Sequence, residues 1–137
     1  MRSLGLDIGD KRIGVALSDI LGILASPLTI IDRVDEKEDI ETIIGITNQY
    51  QVKQIVAGLP RTMDGSIGKQ AEKVETFVRK LRDHTEVSIE FRDERLTTVE
   101  AKRLMQAANT KKTRRKARDD AVAAALILQS YLDETQY

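Results

Sequence analysis

The sequence predicts an α/β fold in which helices cover both faces of a mixed sheet. Two features of the 137 residues lead to this prediction. The first part of the chain contains three apolar stretches joined by short turns, and connections of this length require antiparallel strands. The remaining sequence alternates helical periodicity with short apolar runs, which is typical of strands that are buried between helices.

Three strands are expected between residue 3 and about residue 31. In the first, apolar side chains alternate with Asp7, which therefore faces the opposite side of the sheet. Asp10-Lys11 forms the tight connection to the second strand, and Gly22 lies in the turn before a third strand predicted over Ile23 to Ile31. Because Pro27 cannot donate a ladder hydrogen bond, the third strand should lie at an edge or contain a bulge.

Helices and strands alternate in the rest of the chain. Asp35 and Glu38 have the spacing of a helix N-cap and its reciprocal partner, and isoleucines follow at helical period to about residue 50. Further on, the patterns predict strands over 54–58 and 87–91, helices over about 66–84, 97–108 and 115–133, and a loop over 109–112. No repeat or linker interrupts this order, so residues 1–137 are expected to form one domain.

Composition excludes several classes of function. The chain has no cysteine and only one histidine, His84, which excludes thiol chemistry, zinc fingers and a histidine-rich metal site. A divalent metal would have to be held by oxygen atoms, which favours Mg²⁺ or Mn²⁺. No apolar run approaches the ~20 residues of a membrane span, and the N-terminus lacks a signal segment, so we expect a soluble, cytoplasmic protein without a membrane partner. The scarcity of aromatic residues argues against a single-strand binder that stacks bases.

Carboxylates occur at three places where solubility alone does not explain them. Asp7 lies within a strand, Asp93 and Glu94 follow the last strand, and Asp119 and Asp120 begin the apolar part of the last helix. If the first, fourth and fifth strands are neighbours, these positions converge. Carboxylates gathered around two cations ~3.5–4 Å apart would stabilise the attacking and leaving oxygens of a phosphodiester.

Each acidic position also has a purely structural interpretation. Asp7 could form an ion pair with the basic residues of the following turn, and the acids at 93–94 could pair with the neighbouring arginines. Asp119 and Asp120 could cap a helix or stabilise its N-terminal dipole.

Basic residues are concentrated between Ala101 and Arg118, a stretch that contains no acid although the formal net charge of the chain is zero. The segment is either a solvated face or a phosphate-contacting flap beside the acidic site. Together with basic residues next to the carboxylates, the candidate nucleic-acid contacts are Lys11, Arg12, Arg95, Lys111, Lys112, Arg114, Arg115 and Lys116. We expect a monomer or a weak homodimer, since no long apolar stripe demands a dimer.

Four segments in this order resemble the YqgF family. They are Asp7 to Ala16, Gly58-Leu59-Pro60 with Met63 to Ser66, Asp93 to Ala101, and Asp120-Ala121 leading to Ile127 to Leu132. The resemblance covers about residues 3–132. That family comprises small bacterial proteins with the RNase H-like fold, described as Holliday-junction resolvases and as nucleases that trim the precursor of 16S ribosomal RNA.

The resemblance implies an RNase H-like nuclease that depends on Mg²⁺ or Mn²⁺ and cleaves structured nucleic acid through metal-activated water. Carried over by position, the catalytic and metal-binding acids are Asp7, Glu94 and Asp120, with Asp93 and Asp119 as secondary candidates. The leading function is 5′-end processing of precursor 16S rRNA in ribosome biogenesis. The alternatives are resolution of four-way DNA junctions in recombination and repair, and a nucleic-acid-binding factor that does not cleave. A sugar-kinase-like phosphate loop ranks last, because such enzymes need two lobes.

Overall fold

The computed structural model describes residues 1–60, 68–93 and 116–135, with only the backbone described for 116–120. The elements, in chain order, are β1 (Ser3–Ile8), β2 (Arg12–Ser18), β3 (Ala25–Asp32), α1 (Glu36–Gln49), β4 (Gln54–Leu59), α2 (Lys69–Arg82), β5 (Ser88–Asp93) and α3 (Lys116–Thr135). The helix predicted over 97–108 and the loop predicted over 109–112 lie outside the described residues. No helix within the described ranges is both long and apolar enough to cross a membrane.

The five strands form one mixed sheet in the order β3-β2-β1-β4-β5. β1, β2 and β3 pair antiparallel, whereas β4 pairs parallel to both β1 and β5. This arrangement confirms the predicted neighbours of the first, fourth and fifth strands. β3 lies at an edge, and its register with β2 shifts between Val15 and Ala16, whose partners are Thr29 and Pro27. Pro27 therefore lies beside a bulge on an edge strand, as predicted.

Helices cover both faces of the sheet, as the sequence predicts. On one face, buried residues of α1 and α2, among them Ile43 and Val74, pack against Leu4 and Leu6 of β1. On the other face, α3 contributes Ala124 and its neighbours to a second buried cluster. A Cβ atom at Gly5 would lie only 2.7 Å from the carbonyl oxygen of Ala124, so this glycine allows α3 to pack directly on the middle of β1.

The third strand begins at Ala25 rather than at the predicted Ile23. The cause is Asp19, whose carboxylate accepts hydrogen bonds from the backbone N–H groups of Ile23 at 2.7 Å and Leu24 at 3.0 Å. These two amides are committed to the turn and cannot join the ladder. The first helix begins as predicted, because the Asp35 carboxylate accepts from the Glu38 amide at 2.8 Å.

Candidate active site

Asp7 lies half-buried near the end of β1, on the face of the sheet that α3 covers. The face follows from strand alternation, since Gly5 contacts α3 while Leu6 and Ile8 belong to the core on the opposite side. Its cross-strand partner on β2 is Gly14. On β4, Ala57 pairs with Leu6, so the next residue, Gly58, lies beside Asp7. Both flanking positions are glycines, which add no side chain to the sheet surface beside Asp7.

The direction of α3 brings its first turn towards the end of β1, where Asp7 lies. Ala124 packs on Gly5 at the middle of β1. Further along the helix, the Gln129 side chain accepts from the Ala25 amide at 2.9 Å. Ala25 lies at the end of the sheet where β1 begins. α3 therefore runs from the end of β1 towards its beginning. Asp119 and Asp120 lie in this helix, and Asp120 precedes Ala124 by about one turn; their side chains are outside the description.

Of the two acids that the sequence places at the end of the last strand, the structure describes Asp93. Arg92 pairs with Gly58 and lies on the α3 face, where its guanidinium donates to Ser130 Oγ at 3.2 Å and forms an ion pair with Glu134. Asp93 is the last residue of β5 and pairs with Leu59, whose side chain belongs to the core on the other face. Strand alternation thus assigns Asp93 to the face opposite Asp7. Glu94 lies outside the described residues.

Residues outside the β1–β2 turn stabilise it. Its Gly9 amide donates to the Arg12 carbonyl at 2.9 Å, which closes the turn. The Arg33 guanidinium donates to the Gly9 carbonyl at 2.9 Å and to the Asp39 carboxylate at 3.0 Å. Asp39 is only 2% exposed and also accepts from the Val34 amide at 3.1 Å. The ion pair between Arg33, which directly follows β3, and the buried Asp39 of α1 therefore fixes the backbone near Asp7.

Sequence reasoning missed Arg33 and Asp39. One signal was present, because Asp39 precedes Ile43 by four residues and therefore shares its buried helix face. A carboxylate on such a face needs a partner. Arg33 satisfies it and also stacks over the Phe77 ring, with its guanidinium carbon 4.9 Å from the ring centre.

Of the predicted nucleic-acid contacts, Lys11 and Arg12 lie at the same edge of the sheet as Asp7, one in the turn and one at the start of β2. Lys116 is the first residue of α3, described for its backbone alone. The others, Arg95, Lys111, Lys112, Arg114 and Arg115, lie outside the described residues. Within the described part of the chain, no cluster of three or more acidic, histidine or cysteine side chains could hold a metal ion. The side chains of Glu94, Asp119 and Asp120 lie outside this part.

Comparison with known proteins identifies the family. The sequence model of the family described as "RuvX: Holliday junction resolvase" matches residues 1–134. The chain belongs to the RuvX family. This is the family that the sequence motifs resemble, under the name YqgF.

Curated relatives of this RuvX chain match nearly its whole length. The chain is 49% identical over 134 residues to a protein from Thermoanaerobacter pseudethanolicus, covering 97% of this chain and 96% of the relative. It is 47% identical over 133 residues to one from Desulforudis audaxviator, covering 97% and 94%. Both relatives carry the name "Putative pre-16S rRNA nuclease".

Solved structures confirm the fold. RuvC from Thermus thermophilus in complex with a Holliday junction substrate matches 98% of this RuvX chain and 96% of its own, with a TM-score of 0.69 at 11% sequence identity. The fowlpox virus resolvase bound to Holliday junction DNA matches all of both chains, with a TM-score of 0.61 at 13% identity. The predicted RNase H-like fold is therefore confirmed.

Proposed function

We propose that this protein is a divalent-metal-dependent endonuclease that hydrolyses phosphodiesters of structured nucleic acid. The observation that carries the proposal is the position of Asp7. It lies half-buried on the α3 face between two glycine positions, where the first turn of α3 arrives. In the proposal, residues 1–137 act as one nuclease domain in the cytoplasm.

The proposed metal ligands are Asp7, Glu94 and Asp120, whose carboxylate oxygens suit Mg²⁺ or Mn²⁺. The register of β5 favours Glu94 over Asp93, since it assigns Asp93 to the opposite face of the sheet. The position of Asp120 one turn before Ala124 favours it over Asp119, because residues four apart share a helix face. A bound ion would supply an activated water molecule and charge stabilisation for the leaving oxygen.

The proposed contacts of the protein to the substrate backbone begin at the β1–β2 turn. Lys11 and Arg12 lie beside Asp7, and the Arg33–Asp39 ion pair fixes the turn that carries them. Cations held near the acids would position phosphate without reading sequence. The basic residues of the 101–118 segment would extend this contact surface and make binding sensitive to salt.

Precursor 16S rRNA is the proposed substrate, processed at its 5′ end, because the curated relatives near 49% identity carry that nuclease name over nearly their full length. A four-way DNA junction is the second candidate, and the description of the family favours it. Both substrates present dense phosphate and unusual backbone geometry, so the same carboxylates and cations would serve either one.

The test compares cleavage of a labelled precursor 16S rRNA 5′ end and a labelled four-way junction in Mn²⁺ or Mg²⁺. Asp7→Asn should lower the cleavage rate at least about 10²–10³-fold, since it removes a ligand of the ion that stabilises the transition state. The matched control is Asp10→Asn, three residues away, whose carboxylate is 60% exposed and pairs only loosely with Lys73 at 3.5 Å. This control should retain most activity.

Binding measured by fluorescence anisotropy separates the nuclease from a factor that only binds. Asp7→Asn, Glu94→Gln and Asp120→Asn should each retain affinity for the preferred substrate while losing cleavage. Cleavage that survives all three substitutions would refute the metal-site assignment. Tight binding by a wild-type protein that cleaves neither substrate would favour the non-cleaving alternative.

A further inference from the structure

Exposed apolar side chains cluster at the end of the sheet opposite Asp7. Six large hydrophobic residues are exposed within the described part of the chain, and five of them lie in or beside the β2–β3 turn. We call these five the apolar patch: Met1, Ile20, Leu21, Ile23 and Leu24, which are between 51% and 77% exposed. The backbone nitrogen of Met1 contacts the Ile20 carbonyl, so Met1 is part of the same surface.

The turn that carries the apolar patch is firmly held. Asp19 accepts from two amides of the turn, and its own amide donates to the Leu24 carbonyl at 3.1 Å. From α3, Gln129 Nε2 donates to the Ile23 carbonyl at 3.0 Å. A surface that is already ordered loses little conformational entropy when a partner binds. The turn thus presents large apolar groups to solvent in a fixed arrangement, and their exposure does not result from a loose segment.

The two flanks of the apolar patch carry opposite charges. On one flank, Arg2 and Lys53 line a shallow pocket together with Ile20. On the other, Gln129 Nε2 also donates to the Asp133 carboxylate at 2.8 Å, which places this acid close to Ile23. A surface with a basic flank and an acidic flank around an apolar centre is complementary to itself when rotated by 180°.

We propose that the apolar patch is the interface between two copies of this chain related by a two-fold axis. Five side chains at these exposures form a surface of roughly 500 Å², near the upper end of the ~300–600 Å² patches on monomers. With both charged flanks added, it approaches the ~800 Å² per partner of a stable interface. The formal net charge is zero, so no overall repulsion opposes the pairing.

This arrangement leaves the candidate active sites accessible. The apolar patch lies where β1 begins and β2 ends, whereas Asp7 lies where β1 ends. Two copies joined through the patch would therefore direct their Asp7 edges away from each other. The proposal rests on the surface alone and does not depend on whether the protein cleaves nucleic acid.

Sedimentation equilibrium of the whole chain over a range of concentrations tests the pairing. The wild-type protein should form a reversible dimer. Leu21→Lys, at the most exposed position of the apolar patch, should raise the dissociation constant at least about tenfold. Val34→Lys is the matched control, because Val34 is 73% exposed but lies outside the patch. Its dissociation constant should stay within about twofold of the wild-type value. Circular dichroism checks that both variants fold.

A charge exchange tests the two-fold arrangement. Lys53→Glu and Asp133→Lys should each weaken the dimer, and the double variant should restore it, because the exchanged flanks again face opposite charges. A wild-type chain that stays monomeric at its highest soluble concentration would overturn the proposal and leave another protein as the occupant of the patch. Equal weakening by Leu21→Lys and Val34→Lys, or no recovery in the double variant, would also overturn it.

Discussion

Two turns bound β2, and an aspartate stabilises each of them in a different way. At the β1–β2 turn, the buried Asp39 holds the Arg33 guanidinium, which in turn binds the Gly9 carbonyl. At the β2–β3 turn, the half-buried Asp19 accepts directly from the amides of Ile23 and Leu24. The first turn depends on residues from other elements, whereas the second is stabilised mostly by hydrogen bonds among its own residues.

The difference follows from what surrounds each turn. The β1–β2 turn lies beside the proposed site, where a fixed backbone would hold Asp7 and the basic residues of the turn in place for a ligand. Arg33 and Asp39, which both lie outside the turn, supply this stabilisation. The β2–β3 turn holds no proposed ligand, and local hydrogen bonds leave its apolar side chains available to a partner. Replacing Asp39 and replacing Asp19 should therefore lower the stability of the fold by different amounts.

The largest effect on stability is expected from Asp39→Ala. It leaves the Arg33 guanidinium without its partner in a half-buried site and removes the acceptor for the Val34 amide. We expect a loss of about 3 kcal/mol in the free energy of unfolding, measured by urea denaturation. Hydrogen exchange at the Arg33 amide, which donates to the Lys11 carbonyl, should also accelerate.

The control for this variant is Asp10→Ala, which breaks only the exposed 3.5 Å pair with Lys73. Exposed ion pairs contribute little, so this change should cost less than about 1 kcal/mol. Similar losses in the two variants would show that the buried pair does not stabilise the β1–β2 turn more than a surface contact does.

A smaller contrast is expected between the glycines of the two turns. A Cβ atom at Gly9 would lie 2.8 Å from the Arg12 carbonyl oxygen, so Gly9→Ala should force the closing hydrogen bond apart at a cost of about 2 kcal/mol. A Cβ atom at Gly22 would meet the Met1 carbonyl oxygen at an ordinary contact distance of 3.5 Å, but the φ of 72° means that Gly22→Ala should cost about 1 kcal/mol through backbone strain. Thermal unfolding of both variants measures which substitution costs more stability. The reverse order would show that strain at the second turn outweighs crowding at the first.

Local patterns in the sequence were sufficient to predict much of this architecture. The Asp35 cap, the edge position of the Pro27 strand and the neighbours of β1 all follow from nearby residues and connection lengths. The start of β3 did not, because a strand pattern at Ile23 competes with a carboxylate four residues earlier. The Arg33–Asp39 pair was also missed, since it depends on how α1 packs beside β3.

The same distinction applies to the candidate site: some of its features follow from local sequence patterns and others do not. The alternation of β1 was sufficient to set Asp7 apart from the apolar core, and the structure agrees. The choice between Asp93 and Glu94 requires the register of β5 against β4, which no local pattern contains. The assignment of Glu94 and Asp120 as ligands stays a prediction, because their side chains lie outside the description.

The smallest effect is expected at Asp19, and it depends on pH. Hydrogen bonds from the Leu24 and Ile23 amides lower the pKa of the Asp19 carboxyl below its ordinary value of 3.8. A carboxyl whose pKa is lower in the folded state stabilises the fold above its unfolded pKa, and this contribution is lost as the pH falls through the folded pKa. Asp19→Asn should therefore lower the melting temperature at pH 6 and have progressively less effect below about pH 4. Glu41→Gln, an exposed change on α1, controls for the removal of one negative charge. A melting difference between wild type and Asp19→Asn that does not shrink in acid would show that the shape of the side chain, and not its charge, holds the second turn.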